Sequence, residues 1–273
     1  MELFNIYDEH RATPLITAHA GCQGTEPNSR ESIVAAFNSP ADIVEVDIRA
    51  SADGVIFLMH DNVLALDDGE NVPLGNLSWN EIVHTLDSRQ QREILRFEAF
   101  CDFVEELEQG FPRTTAPKRP FFNLDIKDPA ALPATAAIAR SREIMPRVIF
   151  SGLDEEGVAL ASRRIPDLSY LFNADGMLPG REKAGTEEVG MKEACSLALR
   201  CGCKGINLEW TLASAALVHH IHERGLFVML WTVDDMPAMR CVLEYGPDSI
   251  TTHYPDRLAL LLEDRRKSRP GTR

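Results

Sequence analysis

Residues 43–50 read IVEVDIRA, and their alternation decides the fold. Along a strand, every second side chain shares a face. Val44, Val46 and Ile48 make one face apolar, so Glu45, Asp47 and Arg49 project together from the other. Residues 121–128, FFNLDIKD, repeat the pattern, with Leu124 and Ile126 on one side and Asn123, Asp125 and Lys127 opposite. In a parallel barrel the outer face packs on helices, and charge inside belongs at the C-terminal mouth. Two strands that each turn acids inward are hard to reconcile with packing alone.

Outward from these two strands, short apolar runs alternate with helical patterns. Strands are expected to begin near Pro14, Asp42, Phe121, Arg147, Leu168, Gly205, Leu226 and Asp248. Helices follow near Arg30, within Leu77 to Glu108 in two pieces, and near Ala130, Glu155, Lys192, Ala213, Asp235 and Pro255. Eight such units without a linker or repeat boundary predict an α/β fold, a single-domain (β/α)8 TIM barrel over residues 1–262. Residues 263–273, rich in Arg, Lys and Pro, are expected to be a flexible C-terminal tail. An open doubly wound sheet is the competing architecture, but no Gly-rich dinucleotide loop follows an early strand.

The 273 residues suit one barrel, and 44% hydrophobic with 26% charged residues disfavours disorder. A formal net charge of −14 argues against a nucleic-acid or anionic-membrane surface. A small phosphate-containing substrate stays compatible, because a bound cation reverses the sign of a site locally. No apolar run is long enough for membrane insertion, and MELFNIYDEHR at the start is polar. Six scattered cysteines, including the close pair Cys201 and Cys203, read as ordinary thiols of a reduced cytoplasmic protein.

Glu45, Asp47 and Asp125 offer only hard oxygen donors. Without a cation they would repel one another, so one divalent ion (Mg2+, Ca2+ or Mn2+) is expected among them. A salt-bridge network with Arg49 and Lys127 is the plainer alternative. Lys127 either pairs with a ligand acid or holds a phosphate as a point charge. His19 ends the first strand in LITAHAG, and His60 ends VIFLMHD, an apolar hairpin arm after the second strand. Imidazoles titrate near neutrality, so one can take a proton while the other protonates a leaving alkoxide. With a metal to offset developing charge, that set suits phosphoryl transfer.

These residues resemble the glycerophosphodiester phosphodiesterase family of phospholipase-C-like barrel phosphodiesterases. The resemblance rests on His19-Ala20-Gly21, Glu31-Ser32 ahead of Ala35-Ala36-Phe37, Glu45-Val46-Asp47, Asp53-Gly54 and His60-Asp61. It continues in Asp125-Ile126-Lys127, Trp231-Thr232-Val233 and Thr252-His253-Tyr254-Pro255, and covers roughly residues 15–260. It implies hydrolysis of a small soluble phosphodiester, a general acid/base pair at His19 and His60, metal ligands at Glu45, Asp47 and Asp125, and a phosphate contact at Lys127. Glu31 matches the family's helix-start glutamate near the site, or is a plain helix N-terminal acid.

Three positions depart from the family pattern. Ala20 stands where the family has a phosphate-binding arginine, and Arg49 is a candidate replacement. Asp125 is one methylene shorter than the family's glutamate. His253 replaces an aspartate, and a solvent-facing turn residue is the reading preferred there. In GINLEW, Asn207 and Glu209 point into the mouth and suit a hydroxyl-rich group, while Trp231 either stacks on that group or packs in the core. Glycerophosphodiesters lead as substrate. A sugar phosphodiester of the agrocinopine type, a related phosphoryl-transferring synthase and an inactive binding paralogue follow in that order. Oligomeric state, the choice of ion, the leaving alcohol, and whether water or a neighbouring hydroxyl of the alcohol attacks phosphorus are not readable from the chain.

Overall fold

A computed structural model describes residues 6–7, 13–65, 71–88, 93–110, 119–178 and 187–268. The parallel strands are β1 (Leu15–Ala18), β2 (Ile43–Ala50), β3 (Phe121–Ile126), β4 (Val148–Leu153), β5 (Tyr170–Asn173), β6 (Gly205–Glu209), β7 (Phe227–Trp231) and β8 (Ser249–Thr252). Each pairs with its chain neighbours, and β1 pairs with both β2 and β8, which closes the barrel among the described residues. Every strand starts within a few residues of its expected position.

Helices α1 (Arg30–Asn38), α2 (Trp79–Ser88), α3 (Phe97–Gly110), α4 (Leu132–Ser141), α5 (Glu155–Arg164), α6 (Glu187–Cys201), α7 (Ala215–His222), α8 (Met236–Tyr245) and α9 (Pro255–Ser268) accompany the barrel. The last helix continues to Ser268, so helical backbone extends into the stretch from Glu263 that was expected to fray. Arg265 reaches Glu244 of α8 at 3.1 Å, which ties that end of the helix to its neighbour. Residues 269–273 lie outside the described residues.

Strand parity decides what lies inside. Val44, Val46, Ile48, Leu124 and Ile126 join the main core between strands and helices. Leu15, Ile43, Ile149, Leu171, Phe227 and Met229 form a second, smaller cluster with Ile6, and Tyr7 and Phe121 pack against it. These are the inward positions at the N-terminal end, so the floor of the barrel is apolar. Further along the same strands the inward positions become Glu45, Asp47, Asn123, Asp125, Ser151, Asn173 and Asn207. Polarity therefore rises from floor to mouth within one interior.

After β2 the chain turns back in an antiparallel arm, Ile56–Leu58, paired with Ile48–Ala50. A second short hairpin, Val63–Ala65 with Asn71–Pro73, follows it. Phe57, Met59, Leu64, Leu74, Trp79, Ile82 and Leu86 bury one another in a cluster of their own beneath these arms.

Candidate active site

His19 lies immediately beyond β1, where its N–H bonds the Thr252 carbonyl at 3.0 Å and extends the β1–β8 edge. Gly21 (φ 82°) turns the chain sharply there, and an added Cβ would come within 3.0 Å of the Pro27 ring. The Gly21 N–H donates to the Ser32 hydroxyl at 2.7 Å, pinning the turn to the start of α1. The same turn aims the Ala20 N–H at Glu45 Oε2, 2.7 Å away.

Glu45 and Asp47 are almost wholly buried, and Asp125 lies beside Asp47 in the β2–β3 register. One oxygen from each of the three falls within 4.8 Å of the others. Lys127 stands 2.5 Å from Asp125 Oδ2 and 3.0 Å from Asp47 Oδ1. Asp125 Oδ1 also accepts the Ser151 hydroxyl at 2.6 Å. Asn28 (φ 61°) grips Asp47 twice: its Nδ2 donates to Oδ2 at 2.7 Å, and its Oδ1 accepts the Asp47 N–H at 2.9 Å. Asp47 Oδ1 is buried without a hydrogen bond, the lysine being near but not aligned with it. A buried carboxylate oxygen left open beside two further acids is what a hard cation requires of its donors. The residues present therefore fit a divalent ion.

The electrostatics point the same way. Burial, reinforced by the charges of Asp47 and Asp125, pushes the Glu45 carboxyl well above its ordinary value. Burial works to raise Asp47 as well, but the Lys127 charge and the Asn28 hydrogen bond outweigh it and hold Asp47 low. For Lys127, burial opposes the charge, and Asp125, Asp47 and Glu45 together raise its pKa nonetheless.

His19 Nδ1 lies 2.9 Å from the Ala20 carbonyl and 3.9 Å from Glu45 Oε2. A carbonyl only accepts, so Nδ1 carries the proton and Nε2 is the ring's free nitrogen. His60, on the hairpin arm, is mostly exposed and 3.4 Å from Asp61. Both imidazoles line one cavity of about 280 Å3 together with Glu45, Asp125, Lys127, Asn207 and Trp231.

Three expected substrate contacts sit elsewhere. The Arg49 guanidinium bonds the His60 carbonyl through Nε and Nη2, at 3.2 and 2.7 Å, because its strand pairs with the arm that carries His60. Glu209 accepts the Thr211 hydroxyl at 2.6 Å and does not line the cavity. Glu31 is exposed in the first turn of α1, the place of a plain helix N-terminal acid. Asn28, three positions earlier, makes the contact to the acid cluster. His253, read from sequence as solvent-facing, is partly buried, with its ring centroid 4.3 Å from that of His19. Asp234 holds it at 2.8 Å.

Acids gathered at the C-terminal mouth of a closed (β/α)8 barrel mark the chain as a barrel enzyme. Residues 19–257 match the Glycerophosphoryl diester phosphodiesterase family, and the chain belongs to that family. It is accordingly a phosphoric diester hydrolase. Among curated relatives, the glycerophosphodiester phosphodiesterase GDPD4 of Arabidopsis thaliana is 26% identical over 93% of this chain and 74% of its own. The human lysophospholipase D GDPD3 is 20% identical over 90% and 84%. Among solved structures, a glycerophosphodiester phosphodiesterase of Parabacteroides distasonis superposes with a TM-score of 0.70 at 16% identity, covering 93% of this chain and 98% of that one. An Oleispira antarctica phosphodiesterase in complex with its product sn-glycerol-3-phosphate gives 0.68 at 16% identity, covering 92% and 97%. At these identities the structures speak for the fold.

Proposed function

We propose that the chain hydrolyses a small glycerophosphodiester to an alcohol and a phosphomonoester, with one divalent cation held by Glu45, Asp47 and Asp125. The observation that carries this reading is the convergence of three carboxylate oxygens within 4.8 Å, two of whose residues, Glu45 and Asp125, line the cavity that His19 also lines. The ion supplies Lewis-acid polarisation of a phosphoryl oxygen. Lys127, which lines the same cavity, offsets phosphate charge as a point charge. His19, through Nε2, and His60 divide the proton work. One takes a proton from the attacking water as its oxygen bonds phosphorus, and the other delivers a proton to the departing alkoxide as the P–O bond breaks. The product bound to the Oleispira antarctica relative supports glycerol phosphate as the retained half.

A sugar phosphodiester is the second reading. It is favoured by buried polar atoms in the cavity wall that lack hydrogen bonds, Asn123 Oδ1, Asn207 Oδ1 and Trp231 Nε1. Hydroxyl groups of an alcohol would satisfy them. The test runs glycerophosphocholine and a sugar phosphodiester side by side after EDTA treatment and Mg2+, Ca2+ or Mn2+ add-back. Turnover restored by the ion and lost in His19→Ala supports the reading, and the faster substrate ranks the two alcohols. Turnover that survives chelation would overturn the metal assignment.

A further inference from the structure

The mouth contains a third imidazole that the acid/base pair does not use. His253 follows β8, and its ring lies tilted at 51° against the ring of His19, with centroids 4.3 Å apart. Asp234 fixes it from behind through two bonds to His253 and one to the neighbouring Thr252. Its Oδ2 lies 2.8 Å from His253 Nδ1, and its Oδ1 accepts the His253 N–H at 2.8 Å and the Thr252 hydroxyl at 3.2 Å. Half-burial works to raise the Asp234 carboxyl, but those bonds outweigh it and hold it below its ordinary value. An ionised carboxylate accepts only, so His253 Nδ1 carries a proton. The backbone braces the same spot: the His253 carbonyl accepts the Gln23 N–H at 2.7 Å, and the Thr252 carbonyl accepts the His19 N–H.

With Nδ1 of His19 committed to the Ala20 carbonyl and Nδ1 of His253 committed to Asp234, neither δ nitrogen is available to join the rings by a hydrogen bond. What His253 supplies is a ring face. His253 is also absent from the lining of the substrate cavity, so its effect on chemistry must pass through His19. We infer that His253, locked by Asp234, is a positioning residue that holds the His19 ring with Nε2 toward the reacting phosphate. Small displacements of a reacting group are costly, which is what a fixed backing plane prevents. The inference rests on the proposed acid/base role of His19.

The test is a set of variants of the full chain, assayed on glycerophosphocholine with the activating ion. His253→Ala should lower kcat about tenfold or more with KM little changed. His253→Phe, which restores a ring face without the polar edge, should recover most of the loss. Asp234→Ala should fall in the same direction, and the Asp234→Ala/His253→Ala double variant should be no worse than about twofold below His253→Ala, because both act along one chain of contacts. Independent of turnover, 15N NMR of the His19 ring should show the Nδ1–H tautomer in the parent and a mixed population in His253→Ala. A parent without activity would sink the functional reading and leave the NMR comparison standing. Unchanged kcat and unchanged His19 tautomer in a folded His253→Ala would overturn the inference. So would a raised KM that Phe does not rescue, since that would place His253 on the substrate.

Discussion

Glu45 is buried beside two other acids, and its raised pKa has a consequence for stability. A carboxyl raised in the folded state binds its proton more tightly there than in the unfolded chain, so it favours folding at low pH. That contribution is lost as pH rises from the ordinary value of 4.5 through the raised folded one. In EDTA, Glu45→Gln should therefore melt above the parent at pH 8 and no higher than it at pH 4. Adding Mn2+ should reverse the order at pH 8, because the charged carboxylate binds a divalent cation more tightly than the neutral amide does. Thermal melts at the two pH values check both signs. At this scale the acids were legible, since alternation alone put Glu45, Asp47 and Asp125 on one face. Asn28 was not, because its two bonds to Asp47 span 19 positions and depend on how α1 docks. The available signal was local: Asn is the non-glycine residue that best tolerates a positive φ, and Asn28 follows a proline. Glu31 matches the family's motif, yet its side chain is exposed on the first turn of α1.

Among the elements, β4 carries a break in register between Phe150 and Leu153, with Gly152 at φ 75°. A bulge at a barrel rim re-aims neighbouring side chains. Here it brings the Ser151 hydroxyl to Asp125 and sends the Gly152 N–H to Asn173 Oδ1 at 2.9 Å. A Cβ at this position would come within 2.5 Å of the Ile126 carbonyl and 2.8 Å of Asp125 Oδ1. Gly152→Ala should cost about 3 kcal/mol of stability. It should also weaken cation affinity, because Asp125 has to move, and isothermal titration with Mn2+ measures that directly. An unchanged affinity would separate the bulge from the metal ligands. The eight strands were legible from hydrophobic period and spacing, and so was the first hairpin arm. The second hairpin was missed because Val63–Ala65 and Asn71–Pro73 are too short for a period to register. The available signal for the bulge was Gly152 itself, since a lone glycine inside a strand pattern points to one, and a reading by hydrophobic period alone passes over it.

At the scale of the whole molecule, an apolar cluster that includes Ile6, with Tyr7 packed against it, stands opposite a mouth where Lys127 lies between Asp47 and Asp125. A cation that binds only the folded chain stabilises it by mass action, about 2.7 kcal/mol at a hundred times its Kd. Melting in Mn2+ at that excess should therefore exceed melting in EDTA by roughly 5 °C or more. The Asp47→Asn/Asp125→Asn variant should show no such gain.

The small cluster of Phe57, Met59, Leu64, Leu74, Trp79, Ile82 and Leu86 packs apart from the barrel's own core. His19 is thus mounted on the barrel frame, while His60 follows an arm that pairs with β2 and is clipped there by Arg49 at the His60 carbonyl. Substitutions within this cluster can therefore re-aim His60 while Glu45, Asp47 and Asp125 keep their places on β2 and β3.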